Sequence, residues 1–219
     1  MARSFSFFLR RMFLALITDA LQEFNKLLDI EYELVLGRKN KTVKLVVEFK
    51  KMHFFHLAGL QYLKDLPRLA FSTEVVFDQI ESGIISPSYI ESSINYSFIE
   101  QRLLFLPKLQ DIFDSNDTIF RYNPALQAFS VIEADFLMKN TTNNVNLFTF
   151  LAKEKGGKFF CKSFFPDNKK DYAEGQTRWT VLLKKKIQKS GNLNIQLILI
   201  SKKCGNLQKI TIMKDYEEL

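Results

Sequence analysis

Apolar side chains recur at three and four residues through Leu14, Ile17, Leu21, Phe24 and Leu28, and that period predicts an amphipathic helix over residues 4–29. The period then shortens to two. Residues 31–36 and 42–49 alternate as strands do, and Gly37-Arg38-Lys39-Asn40-Lys41 between them supplies the turn of a hairpin. Helical spacing returns over 53–63, close to Pro67, and over 72–80 with Ser72 placed as an N-cap. Ser86 followed by Pro87 opens a short helix through Ser93, because proline is pre-set for the first helical position. Residues 97–113 read as a further helix. Beyond the turn-like Ser115-Asn116-Asp117 the chain becomes strand-rich, at 118–122, 130–138, 147–152, 158–162, 178–187, 194–201 and 207–213, the last two joined around Cys204-Gly205-Asn206. Helices first and strands later is the signature of an α+β fold, and no linker or repeat divides it into more than one domain.

Composition narrows the class. The 219 residues are 47% hydrophobic and 25% charged, the makeup of a globular unit and not of a disordered or fibrous chain. Phe supplies 22 of the aromatic residues against one Trp, which favours a bulky core. The net charge of +7 is uneven: residues 1–150 hold 16 Lys and Arg against 17 Asp and Glu, whereas residues 151–219 hold 15 against 7. A basic face from the last third attracts phosphate backbones, although a run such as Lys184-Lys185-Lys186 is also what a solvated strand face looks like. Cys161 and Cys204 form no CxxC or Cys/His cluster, so neither a zinc site nor a disulfide framework is expected, and a reducing, cytoplasmic setting fits. Near the N-terminus Arg10 and Arg11 precede an apolar run that Asp19 ends, too short for a span of the ~20 residues a bilayer needs. That segment is expected to pack on the domain, with binding to a membrane surface as the alternative.

Candidate chemistry begins with His56, since the chain has two histidines and an unperturbed imidazole titrates near pH 6.5. His53 stands one helical turn earlier on the same face. Two histidines satisfy only part of a metal site and no spacing places a third ligand, so no metal and no cofactor are expected. Gly-rich phosphate loops, HExxH and GxSxG are all missing from the sequence. What remains is a constellation. Ser163-Phe164-Phe165-Pro166 closes a strand, and Tyr172 through Gln176 and Arg178 follow a polar loop that holds Lys169 and Lys170. Small polar donors and an arginine on one loop can hold a phosphate. Each also has an ordinary explanation: Ser163 as a strand-end hydrogen bonder, Gln176 as a turn residue, Tyr172 as a buried ring with its hydroxyl at the rim. Arg102 is explained as well by a helix-surface ion pair as by a phosphate contact. Asp135 alternates with apolar neighbours and is expected to face solvent, with pairing to a basic residue as the alternative.

The element Phe54 to Leu60, containing His56-Leu57-Ala58-Gly59-Leu60 and continuing as Gln61-Tyr62-Leu63-Lys64-Asp65, resembles a phage-associated family of the Barnase/EndoU/colicin/RelE-like nuclease group, the fourth such phage family. The helix with Arg102, the strand Ile132-Glu133-Ala134-Asp135-Phe136-Leu137, Ser163-Phe164-Phe165-Pro166 and the Tyr172 to Gln176 segment extend the resemblance over roughly residues 30–186. It implies a compact α+β domain, with N-terminal helices packed on a curved antiparallel β-sheet; the helical extension 1–29 and the C-terminal β-hairpin 187–219 lie outside the resemblance and read as additions. It also implies a toxin-like, metal-independent endoribonuclease in which a 2′-hydroxyl attacks phosphorus. His56, Ser163, Tyr172 and Gln176 would be the catalytic set. Arg178 and Lys184, on charge and nearness in sequence, would bind substrate with Arg102, Lys169 and Lys170. RNA is the expected partner, with a cognate inhibitor protein as a second. The alternatives are a non-catalytic module that binds nucleic acid, or one that docks a host protein through the Phe-rich N-terminal helix.

Overall fold

The computed structural model describes residues 15–115, 118–127, 130–167, 169–190 and 194–200. Helix α1 (Leu16–Leu28) buries Ile17, Ala20, Leu21, Phe24 and Leu27, the face that the sequence period predicts. Those side chains belong to the main core, so this helix is packed into the domain. Strands β1 (Ile30–Arg38) and β2 (Lys41–Glu48) follow as a hairpin paired from Glu31↔Glu48 to Arg38↔Lys41. Its turn is tighter than the five residues expected. Only Lys39 and Asn40 lie between the strands, both left-handed (φ 45° and 59°), as the twist of a two-residue hairpin requires.

Helix α2 (Lys51–Leu57) stops well short of Leu63, because Gly59 takes φ 81° and the chain turns into a 3₁₀ segment, Leu60–Tyr62. Helices α3 (Thr73–Glu81) and α4 (Pro87–Glu91) come next. Ser86 caps α4 by accepting from the Tyr89 N–H at 3.2 Å, whereas the Ser72 side chain makes no such bond on α3. The single helix expected over 97–113 is two, α5 (Ser97–Phe105) and α6 (Leu109–Ser115), with a 3₁₀ turn between them at Leu106–Lys108. Pro107 causes the break, since it has no N–H to donate and its ring crowds the preceding turn.

The remaining strands are β3 (Thr118–Arg121), β4 (Phe136–Thr142), β5 (Val145–Lys153), β6 (Phe159–Pro166), β7 (Thr177–Gln188) and β8 (Asn194–Ile200). Strand β4 begins six residues later than expected, residues 130–134 being irregular. The second strand expected at 207–213 lies outside the described residues. The α+β class holds, but the sheet is not an open curve. Its order is β1-β2-β6-β5-β4-β3-β7-β8, and β7 pairs back onto β1, so seven strands close into a barrel. The length of β7 is the physical reason: it reaches Gly37 to Ile30 on one edge, and β3 and then β8 on the other. Bulges at Val35/Leu36 and Phe150/Leu151 add the local bend that closure demands. All neighbouring strands run antiparallel except β2 and β6.

Two apolar clusters result. The larger joins the α1 face to Tyr32, Phe54, Phe77 and Phe113, with Tyr32 stacked on Phe113 at 4.9 Å and Phe54 edge-on to Phe77 at 5.4 Å. The smaller gathers Tyr122, Leu137, Phe148 and Phe150 with Phe165 and Tyr172 packed against them. No helix among the described residues is long and apolar enough to cross a membrane.

Candidate functional site

Strand β6 is the spine along which the candidate residues are arranged. Helix α2 lies against its first half. His53 is buried there, its ring stacked on Phe160 at 4.9 Å. Its Nδ1 accepts the Lys50 N–H at 3.1 Å, which leaves the proton on Nε2, 3.4 Å from Glu154 Oε1. Glu154 also accepts from Lys50 Nζ at 2.7 Å. Burial holds the His53 imidazole below its usual pKa, so it is neutral at pH 7.

His56, one turn further on, is exposed, with Phe55 edge-on to it at 5.6 Å. Partial desolvation lowers its pKa as well, which favours the neutral, proton-accepting form. With Met52, Thr73, Phe160 and Lys162, the two histidines line a cleft of about 440 Å³.

The second half of β6 carries a different group. Arg102 of α5 donates through Nη1 to the Phe164 carbonyl at 2.8 Å and through Nη2 to the Tyr62 hydroxyl at 3.5 Å. Its guanidinium sits between two rings, 5.2 Å from Tyr62 and 5.1 Å from Phe165. Among the described residues no carboxylate comes within ion-pair distance of it, so the ion pair expected as its ordinary explanation is not formed. Gly59 makes this placement feasible: a methyl group there would lie 2.9 Å from Arg102 Cδ and from Ile99 Cγ2. Phe165 passes the contact on to Tyr172 at 5.3 Å, and Lys170 Nζ lies 4.9 Å from the Tyr172 ring centroid. Burial pushes the Tyr172 hydroxyl above its usual pKa, so it is protonated at neutral pH. Lys162 and Phe164 are two residues apart on β6 with its bulge between them, so the histidine cleft and the carbonyl that holds Arg102 are neighbours along the strand.

The other expected residues fall into three groups. Ser163 is half-buried opposite Phe150, at the bulge between cleft and pocket. Gln176 is buried, with Oε1 accepting from the Asn123 N–H at 2.7 Å and Nε2 donating to the Asn123 carbonyl at 3.1 Å. Both ends of that amide are therefore spent on holding the Tyr172 to Gln176 turn against the loop after β3. Arg178 is exposed on β7 and donates to Thr118 Oγ1 at 2.9 Å; Lys169 is exposed on the loop, its N–H bonded to Asp167. Lys184 is a correction. Only 2% of it is exposed, and its ammonium donates to the Phe113 and Asp114 carbonyls at the end of α6, so it is a helix-terminal cation and not a surface one. Asp135 faces basic groups, accepting from the Lys153 N–H at 2.9 Å with Arg121 Nη2 at 3.4 Å.

Two residues enter that the sequence pattern did not single out, Tyr62 and Lys162. Tyr62 stood three residues beyond the Gly59 turn, and an aromatic there was the available signal. Lys162 follows buried Cys161 on a strand and so turns to the other face, which alternation alone could have indicated.

A family model described as phage-Barnase-EndoU-ColicinE5/D-RelE like nuclease4 matches residues 16–215. That stretch is wider than 30–186 and takes in both α1 and β8. No curated protein and no solved structure matches the chain.

Proposed function

The chain belongs to this family of phage Barnase-EndoU-ColicinE5/D-RelE-like nucleases, and from that premise we propose that it is a metal-independent endoribonuclease. The observation that carries the reading is Arg102, a cation fixed between aromatic rings and touching the Tyr62 hydroxyl, with no carboxylate to neutralise it among the described residues. A phosphodiester is the anion that such a pocket suits.

In the proposed reaction the 2′-oxygen of one nucleotide bonds to the adjacent phosphorus while the bond from phosphorus to the next 5′-oxygen breaks. The products are a 2′,3′-cyclic phosphate and a free 5′-hydroxyl. Neutral His56 takes the 2′-hydroxyl proton, and protonated Tyr172 supplies one to the leaving oxygen. Arg102 balances the charge that grows on the phosphoryl oxygens, with Lys162, Lys169 and Lys170 drawing the strand in. Ser163, between the cleft and the pocket, orients the phosphate. Gln176 acts one step back, by holding the Tyr172 loop in place.

The test is incubation of the purified full-length protein with several RNAs in EDTA. Cleavage is expected, with His56→Ala slowing it by ~10²–10⁴-fold, the usual worth of a positioned proton carrier. In the unaltered protein kcat/KM should rise with pH through a value below 6.5 and then level, because the lowered pKa keeps the imidazole unprotonated at neutrality. RNA left intact, or an alanine variant as fast as its parent, sinks the proposal. A binding-only reading draws on one further observation, that the His56 ring has no hydrogen-bonding side chain against it among the described residues. It predicts retention of RNA without cleavage and indifference to His56→Ala.

A further inference from the structure

We propose that Tyr62 is the stacking platform on which a nucleobase of the substrate rests beside the Arg102 pocket. The inference rests on the nuclease reading for the identity of the phosphate pocket, and it adds the residue that holds the neighbouring base.

Tyr62 is 43% exposed although it belongs to a tightly held segment. Its 3₁₀ turn is fixed by the Tyr62 N–H donating to the Gly59 carbonyl at 3.0 Å and the Leu63 N–H to the Leu60 carbonyl at 3.1 Å. Leu60 and Leu63, on either side, are each 1% exposed and anchor the turn in the main core. The ring is thus offered to solvent from a rigid base, which lowers the entropy lost when a ligand packs on it. Arg102 restrains it further, through the 5.2 Å ring contact and the 3.5 Å hydroxyl contact. Because Arg102 is itself tied to the β6 backbone, the ring and the cation are held at a fixed separation.

An exposed aromatic beside a cation is the arrangement by which proteins hold single strands: the cation takes the phosphate and the ring takes the neighbouring base. A duplex cannot use it. Its bases are stacked on one another and present only edges to the grooves, whereas unpaired bases can be splayed onto a ring. Phe98, one helical turn before Arg102 on α5, is 66% exposed and lies on the same helix face.

The probe is a short 2′-fluoro oligonucleotide carrying 2-aminopurine, whose fluorescence is quenched on stacking and whose sugar lacks the attacking hydroxyl. The full-length protein should quench it as a single strand and bind its duplex weakly. Tyr62→Phe and Tyr62→Trp should keep the quench. Tyr62→Leu, which retains apolar cover over Arg102, should lose it and weaken binding by roughly tenfold or more. Phe71→Ala, at another exposed ring, should change neither. Full quenching by Tyr62→Leu, or duplex binding as tight as single-strand binding, overturns the inference. The fluorescence does not depend on cleavage, so RNA left intact by a protein that still quenches through Tyr62 removes the catalytic reading and supports this one.

Discussion

Gly59 shows how one residue without a side chain can set the position of one with a long side chain. It must reach φ 81°, a conformation that costs most residues about 1–3 kcal/mol, and its missing Cβ leaves room for Arg102. Gly59→Ala therefore combines backbone strain with displacement of the guanidinium. The melting temperature should fall by about 2–12 °C, at the usual 2–4 °C per kcal/mol for a chain of this size. Cleavage measured well below the melt should fall further than that instability explains. An alanine variant that melts and cleaves with its parent would show that the turn and the pocket are independent. The sequence made His56 and the glycine legible as neighbours in one short element. It could not reveal Arg102 as their contact, because the 42 residues between Gly59 and Arg102 had first to fold.

At the scale of elements, periodicity served where a segment's pattern answers to a single interface. The face of α1 and the β1–β2 hairpin are of this kind. It failed where one strand serves several partners: β7 has β1 on one edge and β3 and β8 on the other, so barrel closure depends on pairing across about 150 residues that no local pattern encodes. Lys184 is the sharpest instance. Within Lys184-Lys185-Lys186 it resembles a solvated charge, but it falls where β7 passes beneath the end of α6, and the two backbone carbonyls there take its protons. Lys186 beside it pairs with Asp114 at 2.9 Å. Lys184→Met keeps the length of the side chain and removes the donor, stranding carbonyls that are shielded from water. A loss of about 1–3 kcal/mol is expected, read as a lower urea midpoint, while RNA affinity measured without denaturant stays at the parental value. An unchanged midpoint with lost affinity would instead return Lys184 to the substrate.

Over the whole molecule the question is what becomes of the positive charge concentrated after residue 150. Much of what is described folds back onto the acidic first part. Lys158 lies 2.6 Å from Glu31 and 3.1 Å from Glu48, Lys189 lies 3.4 Å from Glu31, and Lys184 is buried. The barrel brings this about, since closing β7 onto β1 sets the basic strand beside the acidic one. Among the described residues the cations gathered around the proposed pocket are Arg102, Lys162, Lys169 and Lys170, with Lys162 only loosely paired to exposed Glu133 at 3.7 Å. Counterion release then fixes an expectation. Four phosphate contacts on a single strand give a slope of log affinity against log salt near −3, whereas the full excess of the last third would give about −6. Titrating the 2′-fluoro single strand from low to moderate salt, with anisotropy as the readout, separates the two. A slope close to −6 would mean that the lysines paired in the barrel release their carboxylates to bind RNA, and the pocket around Arg102 would then be a minor part of the binding surface.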